Sequence, residues 1–516
     1  MDSVRQFVPD SVAENLAVYL EQFKGLPLYA KLSAGALVLG LLAWLESRRG
    51  KKRKLPPGPR GLPFLGAVHK LSDKFHEDLQ RLRASYGDVY SFKLSTSLWV
   101  VVSGYPAIKE AFVKNAEDFA GRPMFDFDEL FPFSDQIFMA DYNEQWKKNK
   151  KFAVVSLRNF GFGSPRLEDK VLEEISLTID KMKKEQGKGF NMLPITSFSM
   201  ARVIFSITIY GDREPTDAET EEACQLIHNF MMQGTESSWG AAAMFLPLWM
   251  VKILFRGFIE KYGKQYELLS TFMQKRIEAH KATLDPENPR DVLDLYISKR
   301  LDKDMTMKQL VDTIFIFIPD AVETLSMVLA TSMLYITSHP EVQVKIQEEM
   351  DRIVGPNKPI RMEHKEQLPY LQAALLETDR ISDLVPFAAL HKAIADTTFM
   401  GYDIPKETVM VPNLHSIHFD EDIFPNSKNF DPCHFLDEHG QVKNAEYCVP
   451  FSVGRRMCMG EALAKMERFL FAANLYKEFN FCFPPEQPNP PLDDKKPVAG
   501  IFFMPRPYKI CANPRN

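Results

Sequence analysis

The stretch Phe451-Ser-Val-Gly-Arg-Arg-Met-Cys458-Met-Gly460 places one cysteine in a glycine- and arginine-bearing loop, directly ahead of an amphipathic helix expected to start near Glu461. A single intracellular cysteine is ordinarily a small buried hydrophobe. Its neighbours here argue for more. Amide N–H groups at a helix N-terminus and the charges of Arg455 and Arg456 would favour S⁻ over SH. Gly454 and Gly460 lack side chains, so a flat group could approach the backbone on either side of the sulfur, and Phe451 could shield one face of the loop. Charge and glycine spacing alone support only an activated cysteine.

Phe451, Gly454, Arg456, Cys458 and Gly460 fill every fixed position of the pattern FxxGxRxCxG, and in this the chain resembles the cytochrome P450 family. The resemblance implies haem b (iron protoporphyrin IX) with Cys458 as axial thiolate. Such a ligand pushes electron density toward bound oxygen and favours O–O cleavage.

With 516 residues, 45% of them hydrophobic and 12% aromatic, the chain can bury a large core. Its six cysteines, at 224, 433, 448, 458, 482 and 511, show no CxxC spacing, so neither a disulfide framework nor a zinc ribbon is indicated. The net charge of −5 is uneven: residues 1–54 carry nine Lys+Arg against five Asp+Glu, leaving 54 against 63 in the remainder. A body this acidic argues against nucleic-acid binding.

Asp10-Ser11-Val-Ala-Glu14 reads as a capping box, with Val12, Leu16, Leu20 and Phe23 on one face of the following helix. Residues 1–25 are therefore expected to be an amphipathic segment, on a membrane or on the protein body. Residues 26–46 are apolar except chiefly for Pro27, Lys31 and Ser33, and twenty helical residues span about 30 Å of hydrocarbon. They read as an uncleaved signal anchor. The six basic residues within Arg48–Lys54 hold its C-terminal side in the cytosol. Residues 47–60 read as a basic, proline-rich hinge, because Leu55-Pro-Pro-Gly-Pro59 cannot be helical. The microsomal members of the family have such a hinge. Residues 61–516 would be the catalytic domain. Short β-like runs such as Val89–Leu94 and Leu98–Val102 flank long helical periods, which predicts a mainly α fold with small marginal β-sheets, the cytochrome P450 fold.

Thr306-Met-Lys-Gln309 is a second capping box, and the apolar run Val311–Ile336 after it is long enough for a helix through the whole body. Pro319 should kink that helix and leave the carbonyl of Phe315 without a donor. By resemblance this is the helix over the distal face of haem, where the family has Ala/Gly-Gly-x-Asp/Glu-Thr. Glu323 and Thr324 match, and imply proton delivery to the oxygen site. Asp320 and Ala321 depart from the pattern. Asp320 either stays protonated, or pairs with a cationic group on an amine substrate, or turns aside to bond water.

Glu377 and Arg380 lie three apart on one helical face and match the family's ExxR pair, with His434 of Asp-Pro-Cys-His434-Phe as its third member. The resemblance gives the haem propionates Arg122, Trp146, Lys150, His391 and Arg456. Lys150 replaces an expected arginine, a point charge in place of a fork. Lys147, Lys148 and Lys151 read as solvated charges or as part of a basic patch for an acidic electron donor. Met124–Phe138, 228–250, Val385–Ala388 and Ile501–Phe502 read as pocket walls or as core. Met244–Met250 reads as a membrane-dipping loop with Trp249 at the interface.

The function these residues imply is a monooxygenase of the endoplasmic reticulum membrane, similar to the microsomal family 2 branch. It would face the cytosol and oxidise a lipophilic small molecule: a xenobiotic, fatty acid, steroid or amine. Its electrons would come from NADPH through NADPH-cytochrome reductase, with cytochrome b5 as a further donor. The alternatives are a haem-thiolate isomerase or dehydratase acting on a peroxide, made plausible by Asp320-Ala321, and a tethered protein holding zinc through Cys433, His434, Cys448 and Cys458.

Overall fold

A computed structural model describes residues 53–62, 66–72, 74–95, 97–123, 137–160, 165–211, 213, 215–233, 248–301, 303–355, 358–492, 495–498 and 502–515, with Pro27, Gly35 and Gly40. The expected amphipathic segment, the capping box at Asp10 and, apart from Pro27, Gly35 and Gly40, the expected anchor lie outside these residues, as do 124–136 and 234–247 of the expected pocket walls. The chain divides into two units, Met1–Leu55 and Pro56–Asn516.

The helices of the second unit are α1 (Phe75–Tyr86), α2 (Tyr105–Lys109), α3 (Glu144–Asn159), α4 (Pro165–Lys184), α5 (Met192–Thr208), α6 (Asp217–Gln233), α7 (Leu248–Leu254), α8 (Arg256–Ala282), α9 (Val292–Lys299), α10 (Met307–Thr337), α11 (Pro340–Ile353), α12 (Pro369–Ser382), α13 (His415–His418) and α14 (Glu461–Glu478). Strands β1 (Val89–Leu94), β2 (Ser97–Ser103), β4 (His391–Lys392) and β7 (Val409–Asn413) form one sheet in the order β1-β2-β7-β4, antiparallel except for the parallel pair β2–β7. A second sheet runs β3 (Phe190–Asn191), β11 (Lys509–Pro514), β8 (Phe479–Cys482), and two hairpins are β5 (Thr397–Phe399) with β6 (Tyr402–Ile404) and β9 (Lys495–Val498) with β10 (Phe502–Pro505). The architecture is the mainly helical one, with small sheets, that the alternating periods predict.

Alternation explains the larger sheet: Val100 and Val102 pack toward one apolar cluster, Trp99 and Val101 toward another on the opposite face. The largest core gathers around α10, which packs against α5, α6, α8, α12 and α14. Its capping box forms as expected: Thr306 Oγ1 accepts from the Gln309 amide at 3.3 Å, and Gln309 Oε1 accepts from the Thr306 amide at 2.9 Å. The helix continues through Pro319, and among the described residues it is the only one long and apolar enough to cross a membrane. It is mostly buried, as a core helix must be.

The proline-rich stretch is non-helical, as proline chemistry requires, and is stitched to β1. Ser91 donates its amide to the Pro57 carbonyl and its hydroxyl to the Pro56 carbonyl, both at 2.7 Å. A Cβ on Gly58 would lie 1.6 Å from the Ser91 carbonyl oxygen, so this crossing admits only glycine.

Candidate active site

The cysteine loop is a closed turn. The Cys458 amide donates to the Phe451 carbonyl at 3.0 Å, and Gly454–Arg456 form one turn of 3-10 helix. Gly460 caps α14, so the sulfur stands at that helix's N-terminus. Burial of its surroundings pushes the Cys458 thiol up; the Gly460 and Glu461 amides pull it down, and the Glu461 and Asp320 carboxylates push it up again. The side chain is nevertheless accessible.

Two expectations about this loop need correcting. The arginines do not aim their charge at the sulfur: Arg455 pairs outward with Glu117 at 2.8 Å, and Arg456 donates to the carbonyls of Ala120, Ile137 and Ala140. The helix-end amides, not the arginines, are what lower the Cys458 thiol, against the larger rise from burial. Gly454 makes room for protein rather than for a flat ligand, because with φ of 80° a Cβ there would meet the Phe112 carbonyl oxygen at 1.8 Å. At Gly460 a Cβ would meet nothing nearer than Cys458 Sγ, at 3.8 Å.

Arg122, Trp146, Lys150, His391 and Arg456 come together beside the loop. Arg456 lies over the Trp146 ring at 4.0 Å from its centroid, and the Trp146 indole donates to the Ile137 carbonyl at 2.8 Å. Arg122 donates to the carbonyls of Phe138, Ala389 and Leu390 at 2.8–3.1 Å, and Lys150 to the Arg455 carbonyl. His391 Nδ1 bonds the Phe119 carbonyl at 2.7 Å. The mutual repulsion is visible. Burial and Arg456 push Arg122 down to about 9, burial pushes Arg456 down to about 10, and burial with Arg122 and Arg456 holds His391 well below its usual range. Among the described residues both arginine side chains donate to carbonyls, and the Asp141 carboxylate, which attracts Arg456, is paired with Lys392 at 3.1 Å. Buried cations whose described hydrogen-bond partners are carbonyls suit a dianion, and the propionates of haem fit that demand.

On α10, Asp320 lies within electrostatic reach of both Cys458 and Tyr262 of α8. Its carboxyl has no hydrogen-bond partner among the described residues, and burial pushes it up to about 7. Thr324 donates its hydroxyl to the Asp320 carbonyl at 2.5 Å. Glu323 turns toward α6: it is 1% exposed, Oε1 stands 3.6 Å from His228 Nδ1, and Oε2 is buried with no hydrogen-bond partner among the described residues. Cys224, one turn earlier on α6, feels the same carboxylate. Sequence reading placed 228 in a pocket stretch and missed its pairing with Glu323, since neither spacing nor motif links residues on different helices.

Glu377 and Arg380 are fully buried, and the pair is bidentate at 2.6 and 2.7 Å. Arg380 also donates to the carbonyls of His418 and Ser427 at 2.7 Å and Asn429 at 3.2 Å. Glu377 Oε1 further accepts from the Asp431 amide at 2.9 Å and from His434 Nδ1 at 3.1 Å, while His434 Nε2 reaches the Pro425 carbonyl at 2.7 Å. Both imidazole nitrogens face acceptors, which favours imidazolium. Burial opposes that charge, but Glu377 and Pro425 outweigh it and raise the His434 pKa.

Of the other expected walls, Phe387 instead packs edge-on against Phe75 in the core of the larger sheet, with ring centroids 5.2 Å apart. Phe502 packs with Met504 against Met327 of α10. Cys433, His434, Cys448 and Cys458 do not converge as metal ligands among the described residues, where the only such group is His280, Asp291 and Asp294.

The family model for cytochrome P450 matches residues 56–512. The chain belongs to the cytochrome P450 family. It is 34% identical to Cytochrome P450 2F3 of Capra hircus, over 93% of this chain and 98% of that protein, and 34% identical to Cytochrome P450 2C23 of Rattus norvegicus, over 92% and 96%. It is 33% identical to Cytochrome P450 2A13 of Homo sapiens, over 94% and 100%. As a cytochrome P450 with these relatives the protein is a haem-thiolate monooxygenase, with a small-molecule substrate and a redox partner.

Proposed function

We propose that Cys458 is the haem thiolate and that the protein, tethered at the endoplasmic reticulum membrane with its catalytic body in the cytosol, oxidises a lipophilic small molecule. Electrons come from NADPH through NADPH-cytochrome reductase, with cytochrome b5 as a second donor. The observation that carries the reading is the placement of an accessible thiol under helix-end amides, beside buried arginines that donate to carbonyls, within reach of the acid-bearing α10. When bound, haem supplies the oxygen-activating redox chemistry.

The chain's own residues do the rest. Arg122, Trp146, Lys150, His391 and Arg456 hold the propionates; Lys150 can slide as a point charge, so this corner grips less stiffly than a guanidinium would. Thr324 holds its proton between its hydroxyl and the Asp320 carbonyl, ready to rotate toward a substrate-side acceptor. Glu323 Oε1, 3.6 Å from His228 Nδ1, can pass a proton onward, and His228, about half exposed, joins it to solvent. Asp320 presents a carboxyl to the substrate space that changes charge near neutral pH, which favours amine substrates once it ionises. Membrane contact is supported by α7, whose Trp249, Ile253 and Leu254 are 65%, 70% and 62% exposed.

The test is turnover of a lipid and amine panel by the full chain with purified reductase. NADPH and oxygen consumed in step with product support the reading; product from a peroxide with no NADPH consumed would replace it with the isomerase.

A further inference from the structure

Strands β8 and β11 pair antiparallel with Cys482 directly opposite Cys511. Side chains opposed across such a pair share a face of the sheet, with Cβ atoms about 5 Å apart. The neighbours confirm that face. Phe481 and Ala512, opposed one step along, are buried in the main core, while Asn513 reaches across and donates to Cys482 Sγ at 3.4 Å. Neither cysteine is in a disulfide, and Cys482 is close enough to Cys511 to help push its thiol up. Cys482 is exposed and Cys511 is 6% exposed, an asymmetry that assigns different tasks to the two sulfurs.

Closing a disulfide from this position needs little movement. Its Cα atoms must lie within about 4.4–6.8 Å, a range that opposed cross-strand residues meet, and the Cβ atoms must approach to about 4 Å. β8 is the edge strand of its sheet, in the order β3-β11-β8, so it can make that approach without disturbing a further neighbour in the sheet.

We propose that Cys482 and Cys511 form a reversible oxidation site, in which a peroxide links them into an intrachain disulfide tying the C-terminal strand β11 to β8, the strand that follows α14. The exposed Cys482 attacks the peroxide O–O bond and becomes a sulfenic acid, releasing one water from hydrogen peroxide. Cys511 then displaces the sulfenic oxygen, the S–S bond forms and a second water leaves. Two thiols are oxidised by two electrons and one peroxide is reduced. Burial and the neighbouring Cys482 push the Cys511 thiol up, which leaves the first attack to Cys482; Cys511 passes its proton to the departing sulfenic oxygen as it attacks in turn.

The link would have a structural consequence. Segment 482–511 contains the β9–β10 hairpin, whose Phe502 and Met504 pack against Met327 of α10, and the disulfide fastens both ends of that segment to one point.

The experiment uses the haem-loaded full chain, exposed to stepwise hydrogen peroxide, alkylated, digested without reductant and mapped by mass spectrometry. Cys433, exposed ahead of His434, is the internal comparator. The expected result is a Cys482–Cys511 linked peptide, lighter by two hydrogens than its separate halves. It should appear at peroxide levels that leave Cys433 mostly alkylatable, vanish on treatment with dithiothreitol, and be absent from both Cys482→Ser and Cys511→Ser. Recovery of Cys482 as an alkylatable thiol or a sulfinic acid when Cys433 is already oxidised would overturn the proposal. So would a Cys482–Cys482 link between chains.

Discussion

Replacing Glu377 by glutamine tests how the buried ion pair holds the fold around the haem loop. The carboxylate accepts from Arg380 twice, at 2.6 and 2.7 Å, and from the Asp431 amide and His434. Glutamine keeps the volume but offers one oxygen and turns an NH2 toward donors, leaving the Arg380 and His434 cations in a fully buried site without their anion. Removing one partner of a buried pair costs about 3–5 kcal/mol. At roughly 2 °C per kcal/mol for a unit of this size, the melting temperature should fall by about 6–10 °C. Thermal unfolding of the haem-loaded protein, followed by circular dichroism at a fixed scan rate, reads this directly. The yield of thiolate-type spectrum per chain should fall with it, because Arg380 also fixes the carbonyls of 418, 427 and 429. A variant melting within about 2 °C of the parent, with a full spectrum, would refute the reasoning.

Three further outcomes rest on the same geometry. The raised His434 pKa means that its contribution is fully present below the unfolded value of about 6.5 and is lost as pH rises through the folded value. The stability gap between parent and His434→Gln, from urea titrations, should therefore be largest near pH 6 and shrink toward pH 9; a gap that widens contradicts the charged imidazole. Arg122→Leu removes a charged donor set from the propionate corner, worth about 1.5–3 kcal/mol, so haem transfer to a scavenger protein should speed up about 10- to 100-fold. An unchanged transfer rate would exclude Arg122 as a propionate ligand. With Asp320 pushed up to about 7, spectral binding of a cationic amine should tighten as pH rises through 7, and Asp320→Ala should abolish that step. An identical pH step for a neutral ligand would show that the carboxyl does not select amines.

The loop around Cys458 was legible because its requirements are local: a turn, a helix start and a sulfur between them, written in ten consecutive residues. The helical interior of α10 was legible for a similar reason, a capping box followed by a long apolar run. What local sequence concealed are the long-range partners. Arg455 and Arg456 look like thiolate stabilisers beside Cys458, yet their partners, Glu117 and the carbonyls of Ala120, Ile137 and Ala140, come from more than three hundred positions away. Gly454 carries no mark that it must clear the Phe112 carbonyl. Glu377 and Arg380 read as an ordinary helical pair by spacing, and only their packing against 418–434 makes them a buried node. His228 meets Glu323 through the crossing of α6 and α10, a contact of tertiary origin with no periodicity to announce it.

The central claim is that Cys458 is the thiolate that binds haem iron, and the absorption spectrum of the reduced, carbon-monoxide-bound protein tests it most directly. The account predicts a thiolate-type Soret shift in the parent protein and its loss in Cys458→Ala. Absence of that shift in a haem-loaded parent, or its survival in Cys458→Ala, would contradict the account.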